Sequence, residues 1–457
     1  VYQLLTTRRE HEEAQSIPNS GGGGYGGSDY PWMGALVYDG KVYDHIRFRA
    51  RGGVWRYSMG KNMWKFDFNR GHRFGARDNS GDNYRAEWNK LNFSAIIQQG
   101  NFGQRGEQGL FEGAGFKNHN LAGSPAPLTH YVHFRIIENA DEDGGPGASQ
   151  FDTDFQGVYL AVEQLDGQFT DQHNLPDGYL WKIEGGNNQN PPNNQGSYLE
   201  SSLPNGDVDD FIAGYKGTQS AAWWKDHLDV DGYYNFRSSV TWVHDGDITA
   251  GKNYFFYHNP ETDKWQVVNW DLDLTWTTPY GGNATGGPLS GDVLSIPEFS
   301  LGMRNRVREL QDLLHNPEQQ GMLLDDVAHW VYTPGENSMV DADRAMWDYN
   351  PILVSNKVNS SGHGRFNEGA TSPARSFAGM VAKLKSYVTG RIGDMRSYYL
   401  NADESSIPRT PTVNYTGIAG FPIDDLSFTS SAFSSPRGAS FAAQQWRIAE
   451  VTLPSDP

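Results

Sequence analysis

The chain of 457 residues carries 37 Lys plus Arg against 55 Asp plus Glu, a formal charge of -18 that would repel a phosphate backbone and argues against nucleic acid as a partner. It has no cysteine, which excludes disulfides, thiolate metal sites and a cysteine nucleophile, and no apolar run approaches the roughly 20 residues of a membrane span. Hydrophobic residues at 37% and aromatics at 13% suffice for one large packed domain with an appendage.

The sequence starts at Val1 without a charged-then-apolar leader, as a processed or trimmed chain would. Abundant Gly and aromatic residues with few Lys fit a secreted protein, outside the cell or on its surface. Residues 1–34 read as an N-terminal strand and a flexible linker, because 19–27 hold six glycines and lack the helix start or Lys of a phosphate cradle. From Ala35 to Phe68 the pattern is a meander of antiparallel strands turning at Asp39-Gly40. A helix over 105–122 follows, weakened by Gly109, Gly113 and Gly115, then strands at Tyr131 to Ile137 and Gly157 to Val162. That order of strands, helix and strands is the order of a kinase N-lobe.

Beyond a polar loop at 187–197, short helices are expected at Asp207 to Tyr215 and Ala221 to His227. A longer one runs from Gly232 to Val243, N-capped by Asp229 or Asp231. The later ligands of a calcium loop are missing from the Asp229-Val-Asp231-Gly232 stretch. Long helices are expected near 302–316, 317–331, 339–348 and 373–400, and strands at Thr412 to Thr416, Leu426 to Thr429 and Gln444 to Val451. The fold class expected is α+β: a protein-kinase-like, two-lobed fold with an antiparallel N-lobe sheet (35–185), a mainly helical C-lobe (186–405) and a C-terminal β-rich tail (406–457).

The chemistry concentrates in Val243-His-Asp245-Gly-Asp247-Ile-Thr-Ala-Gly-Lys-Asn253, a hairpin over 254–269, and Asp271-Leu-Asp273. Folding the hairpin back brings the residues before its first strand beside those after its second, so Asp247, Asn253 and Asp271 should converge. Protein kinases use the same grammar: an Asp that accepts the hydroxyl proton, an Asn a few residues later on one metal ion, and an Asp beyond a hairpin on the metals. Asp245 competes with Asp247 for the first role. A cation for ATP phosphates is sought in Lys61, with Lys65 second, and its acidic partner in Glu112, with Glu107 as rival.

Taken together, Arg51-Gly52 before Lys61, Gly157-Val-Tyr-Leu-Ala-Val-Glu163, Leu180-Trp-Lys182, Gly251-Lys-Asn253-Tyr-Phe-Phe-Tyr257 and Trp270-Asp271-Leu-Asp273-Leu-Thr275-Trp resemble the CotH kinases (spore coat protein H type) over about 35–400. The resemblance implies ATP-dependent phosphorylation, with Mg2+ or Mn2+, of secreted or surface proteins and of the kinase itself. It implies Lys61 on the phosphates, Asp247 as the catalytic residue, and Asn253 and Asp271 on the metal with Asp273 as a further ligand. Glu163, at the end of a strand leading to the hinge, is a candidate for the adenosine or for a structural ion pair. There is no GxGxxG loop before Lys61, no His-Arg-Asp, and Leu272-Asp273 stands where ordinary kinases have Phe-Gly. Two rival readings are a non-catalytic coat, matrix or adhesion protein, and a phosphatase using Asp271-Leu-Asp273-Leu-Thr275 as a DxDxT nucleophile motif.

Overall fold

A computed structural model describes residues 1–15, 32–51, 61–95, 109–139, 149–183, 193–194, 204, 207–276, 286–354, 376–403, 407–420, 422–444 and 446. The Gly-rich stretch 19–27, Glu107, most of the 187–197 loop and most of the stretch from Gln444 to Val451 lie outside them. The chain divides into two compact units, Val1–Ile392 and Gly393–Pro457.

The first unit begins with β1 (Tyr2–Leu5) and a helix, Arg8–Gln15, followed by β2 (Trp32–Tyr38) and β3 (Lys41–Arg51). Asp39 and Gly40 both have positive φ, so the β2–β3 turn has the primed geometry that suits a twisted two-residue hairpin. β4 (Met63–Asp67), β5 (Lys90–Ser94), β6 (Thr129–Ile137) and β7 (Phe155–Glu163) continue the sheet.

These seven strands close into a barrel in the order β1-β2-β3-β4-β5-β7-β6. The two-lobed kinase-like fold with an antiparallel N-lobe sheet is therefore not what this sequence forms. The difference comes from β1, which lies in the segment 1–34 expected to precede the main domain. It pairs antiparallel with β2 and parallel with β6, Tyr2 facing Phe134 and Leu5 facing Ile137, and so occupies both edges that an open sheet would expose. Alternation drives the insertion: Tyr2 and Leu4 are buried while Leu5 is exposed.

The barrel interior is aromatic. Phe66, Phe93 and Phe134 meet edge to face at centroid distances of 5.0 to 5.9 Å, and Tyr159 packs on Phe134 at 5.4 Å. Each such ring contributes on the order of 1.5–3 kcal/mol by burial. Met346 and Trp347, from the helix Met339–Trp347, belong to the same core.

A second sheet runs β11-β10-β8-β9, with β8 (Tyr179–Ile183), β9 (Asn193–Asn194), β10 (Tyr254–Asn259) and β11 (Lys264–Asn269). The helix Val230–Trp242 leads into the loop before β10, and Asp229 caps it by accepting from the Gly232 N–H at 3.0 Å. The helices Pro297–Leu313, Pro317–His329 and Phe377–Met395 complete the expected helical half. The helix Leu110–Leu121 keeps its glycines for packing: a Cβ on Gly115 would lie 2.8 Å from Leu272. In the second unit, β12 (Val413–Tyr415) pairs antiparallel with β13 (Phe428–Ser430).

Burial holds several histidines neutral. His130 lies between the hydroxyls of Tyr2 (2.8 Å) and Tyr84 (3.2 Å), and burial pushes its pKa from 6.5 down to about 3. His119 is likewise lowered to about 3 by burial. The unfolded chain binds these protons first as pH drops below about 6.5, so each such histidine removes about 1.4 kcal/mol of stability per pH unit below that point. The His130→Gln variant is expected to lose stability less steeply than the parent on acidification. Urea unfolding at a series of pH values checks this, and parallel slopes would refute it.

Candidate functional site

The β10–β11 ribbon is in register from Tyr254↔Asn269 to Asn259↔Lys264, so its open end places Asn253 beside Trp270. The Trp270 N–H donates to the Asn253 carbonyl at 3.3 Å, and Asp271 follows immediately. On the other side Asn253 donates through Nδ2 to Asp247 Oδ2 at 3.0 Å, while Lys252 donates to Asp247 Oδ1 at 2.6 Å. The structure thus brings Asp247, Asn253 and Asp271 together. Asn253 and Asp271 both adopt the left-handed region, at φ 68° and 65°, a conformation that non-glycine residues adopt rarely and most often at turns and functional sites.

The two candidate loop aspartates separate cleanly. Asp245 is buried, accepts from the Ile248 N–H at 3.1 Å and from Asn269 Nδ2 at 3.3 Å, and is pushed up to about 7 by burial. It shapes the turn. Asp247 is partly exposed and faces the acidic cluster.

Asp271 lies in a partly buried, charged setting. Burial raises its pKa, the Arg51 charge opposes that rise, and Asp247 adds to it. Among the described residues no hydrogen bond reaches its carboxylate, and the Asn253 amide oxygen accepts none. Glu112, on the helix Leu110–Leu121, is buried and raised to about 7 by burial, with Ser94 and Arg51 opposing and Asp271 reinforcing the shift. Asp273 lies buried on the short turn Leu272–Leu274.

The expected Lys61–Glu112 pair does not form. Lys61 is fully buried two residues before β4, where Nζ donates to Asp343 Oδ1 and to the Val158 carbonyl, each at 2.6 Å. Asp343 also accepts from the Val158 N–H at 2.7 Å. Gly157, at φ 114°, makes room for this cluster, since a Cβ there would collide with the Asp343 carboxylate. Burial lowers Lys61 to about 8, with Asp343 opposing. Lys65, the second choice, is lowered to about 8 by burial and lies near Asp67. Glu163 is also structural in its contacts: it accepts from the Leu128 N–H at 2.9 Å and pairs with His173 at 3.0 Å.

The cations that do surround Asp271 are Arg51, Lys182 and Lys252. Arg51 ends β3 and lays its guanidinium over the Trp270 ring at 5.7 Å. All three stand in motifs visible in the sequence: Arg51-Gly52, Leu180-Trp-Lys182 and Gly251-Lys-Asn253.

The family described as CotH kinase protein matches residues 49–318, well over half of the chain, a span that holds the whole cluster. The chain belongs to the CotH kinase family. No curated protein matches it. In this CotH-family chain Asp271 leaves an antiparallel ribbon, not a parallel strand entering βαβ units, so the DxDxT phosphatase reading lacks its scaffold. Among the described residues no three carboxylate or imidazole side chains form a metal cage. The donor set on hand, two carboxylates and an amide oxygen, suits a hard divalent cation that keeps waters and takes phosphate oxygens. No helix among the described residues is long and apolar enough to cross a membrane.

Removing one member of a buried ion pair leaves the other charge without compensation, at a cost of about 3–5 kcal/mol. Lys61→Met is therefore expected to destabilise the protein by that order, and the double variant Lys61→Met/Asp343→Leu to be markedly more stable than Lys61→Met alone. Denaturant unfolding of both variants measures it. A Lys61→Met protein as stable as the parent would show that the pair contributes nothing.

Proposed function

We propose that this CotH-family chain is an ATP-dependent protein kinase that phosphorylates protein hydroxyls, its own included, with Mg2+ or Mn2+. The observation that carries the reading is the junction of Asp247, Asn253 and Asp271 at the open end of one ribbon, with an Asp271 carboxylate that lacks any hydrogen-bond donor among the described residues. Bound metal–ATP would supply the phosphoryl group and a hard cation for these oxygen donors.

In the reaction, Asp247 accepts the proton of the acceptor hydroxyl as its oxygen bonds to the γ-phosphorus and the bond to the β–γ bridging oxygen breaks, ADP leaving. Lys252 and Asn253 hold the two Asp247 oxygens and so fix the direction of the carboxylate. Asn253, through its amide oxygen, and Asp271 are the metal ligands proposed, with Asp273 behind them. Secretion to the cell exterior or surface belongs to the same proposal, supported by the abundance of Gly and aromatic residues with few Lys.

Asp247→Ala is expected to lower phosphate transfer at least about a hundredfold while leaving nucleotide binding intact, because it acts on the hydroxyl in the transition state. Asp271→Ala is expected to weaken metal-dependent nucleotide binding itself. Labelled-ATP transfer and calorimetric binding of metal–ATP distinguish the two. Equal behaviour of both variants and the parent removes the assignment, and a parent that binds nucleotide without transferring phosphate favours a non-catalytic coat or adhesion role.

A further inference from the structure

We infer that Arg51, not Lys61, is the residue that grips the nucleotide phosphates, an inference that rests on the nucleotide-binding reading of this site. Lys61 is committed elsewhere: it has no exposed surface, and its ammonium is held by Asp343 and the Val158 carbonyl inside the barrel wall. A phosphate reaching it would have to break that buried pair.

Arg51 stands where a phosphate-binding cation is needed. It is the last residue of β3 and is pinned opposite Met63 in the β3–β4 ladder. Its guanidinium lies on the face of Trp270, the residue directly before Asp271, at 5.7 Å from the ring centroid. Stacking on an aromatic face uses the flat side of the guanidinium and leaves its N–H edge for in-plane contacts. Among the described residues no hydrogen bond or ion pair is made by that edge, although Glu112 and Asp271 are both close enough to feel its charge. A planar fork held beside the proposed metal ligands matches the two oxygens of a phosphate better than a point charge does.

Lys182 is the rival. It lies on β8 opposite Phe255 and also acts on Asp271, so it serves as the comparator.

The test uses the full chain as parent, Arg51→Met, Arg51→Lys and Lys182→Met, with calorimetric binding of ATP and of adenosine, each with Mg2+ and with EDTA. For Arg51→Met the expected result is roughly a tenfold or greater loss of ATP affinity in every buffer in which the parent binds ATP, with adenosine affinity within about twofold of the parent. Arg51→Lys is expected to recover part of the loss, and Lys182→Met to lose less than Arg51→Met. If Arg51→Met does not fold, Arg51→Lys decides, by weaker ATP binding with adenosine unchanged.

Unchanged ATP affinity in the Arg51 variants overturns the inference. So does an equal loss for adenosine, which would mean that Arg51 only shapes the pocket, or, for a parent that binds ATP in both buffers, a loss confined to Mg2+, which would mean that it acts through Asp271. A larger loss in Lys182→Met overturns it in favour of that lysine. These four results leave the nucleotide-binding reading standing. A parent that binds no ATP in either buffer overturns both.

Discussion

The site depends on the register of one antiparallel ribbon. Six cross-strand pairs, from Tyr254↔Asn269 to Asn259↔Lys264, set which residues stand at its open end, and a slip of one position would turn the Phe255 and Val268 side chains from the core to the other face. The far end holds that register. His258 stacks on Trp265 at 4.1 Å and its ring joins Asp207 to Asp263, while Asp263 itself takes the positive φ that closes the turn. β8 fixes the other edge of β10, so the ribbon cannot slide as a free hairpin. Asn253 and Asp271 are thus positioned by contacts made mostly with residues that do no chemistry.

What the sequence made legible is what short-range physics decides. The ribbon has its turn residues and its alternation within sixteen residues, and the convergence of Asp247, Asn253 and Asp271 follows from those alone. The Asp39-Gly40 hairpin and the Asp229 cap are local in the same way. Closure of the barrel is not local. β1 pairs in parallel with β6 across more than a hundred residues, and a four-residue strand carries too little pattern to announce such a partner. The helix expected over 105–122 forms at Leu110–Leu121 despite its glycines, and Gly115, unfavourable locally, lets it seat on Leu272.

The fate of Lys61 shows the same limit at a single residue. A lysine at the head of an aromatic strand looks alike in sequence whether its counter-ion lies on the next helix or 282 residues away, as Asp343 does. The kinase comparison supplied Glu112 as the nearer acid, but nothing in the residues themselves excluded the distant one. Arg51 was overlooked for a related reason. Its role follows from the ring of Trp270 beneath it, a contact made only once the ribbon and β3 are brought together.

Three pieces therefore meet at the acidic cluster: the end of β3, the helix bearing Glu112, and the open end of the ribbon. Each is anchored away from the cluster. The barrel core holds β3, the seat of Gly115 on Leu272 holds the helix, and the Trp276 indole N–H donating to the Phe111 carbonyl at 3.1 Å ties that helix to the chain leaving Asp271. Carboxylates so close would drift apart if they sat on mobile loops, because their mutual repulsion favours separation. Packing behind Asp271 and Glu112, and the bonds from Lys252 and Asn253 to Asp247, oppose that separation. The buried Lys61–Asp343 pair ties the helix Met339–Trp347 to the barrel, while the partly exposed Arg51, at the end of β3, faces Asp271 and Glu112.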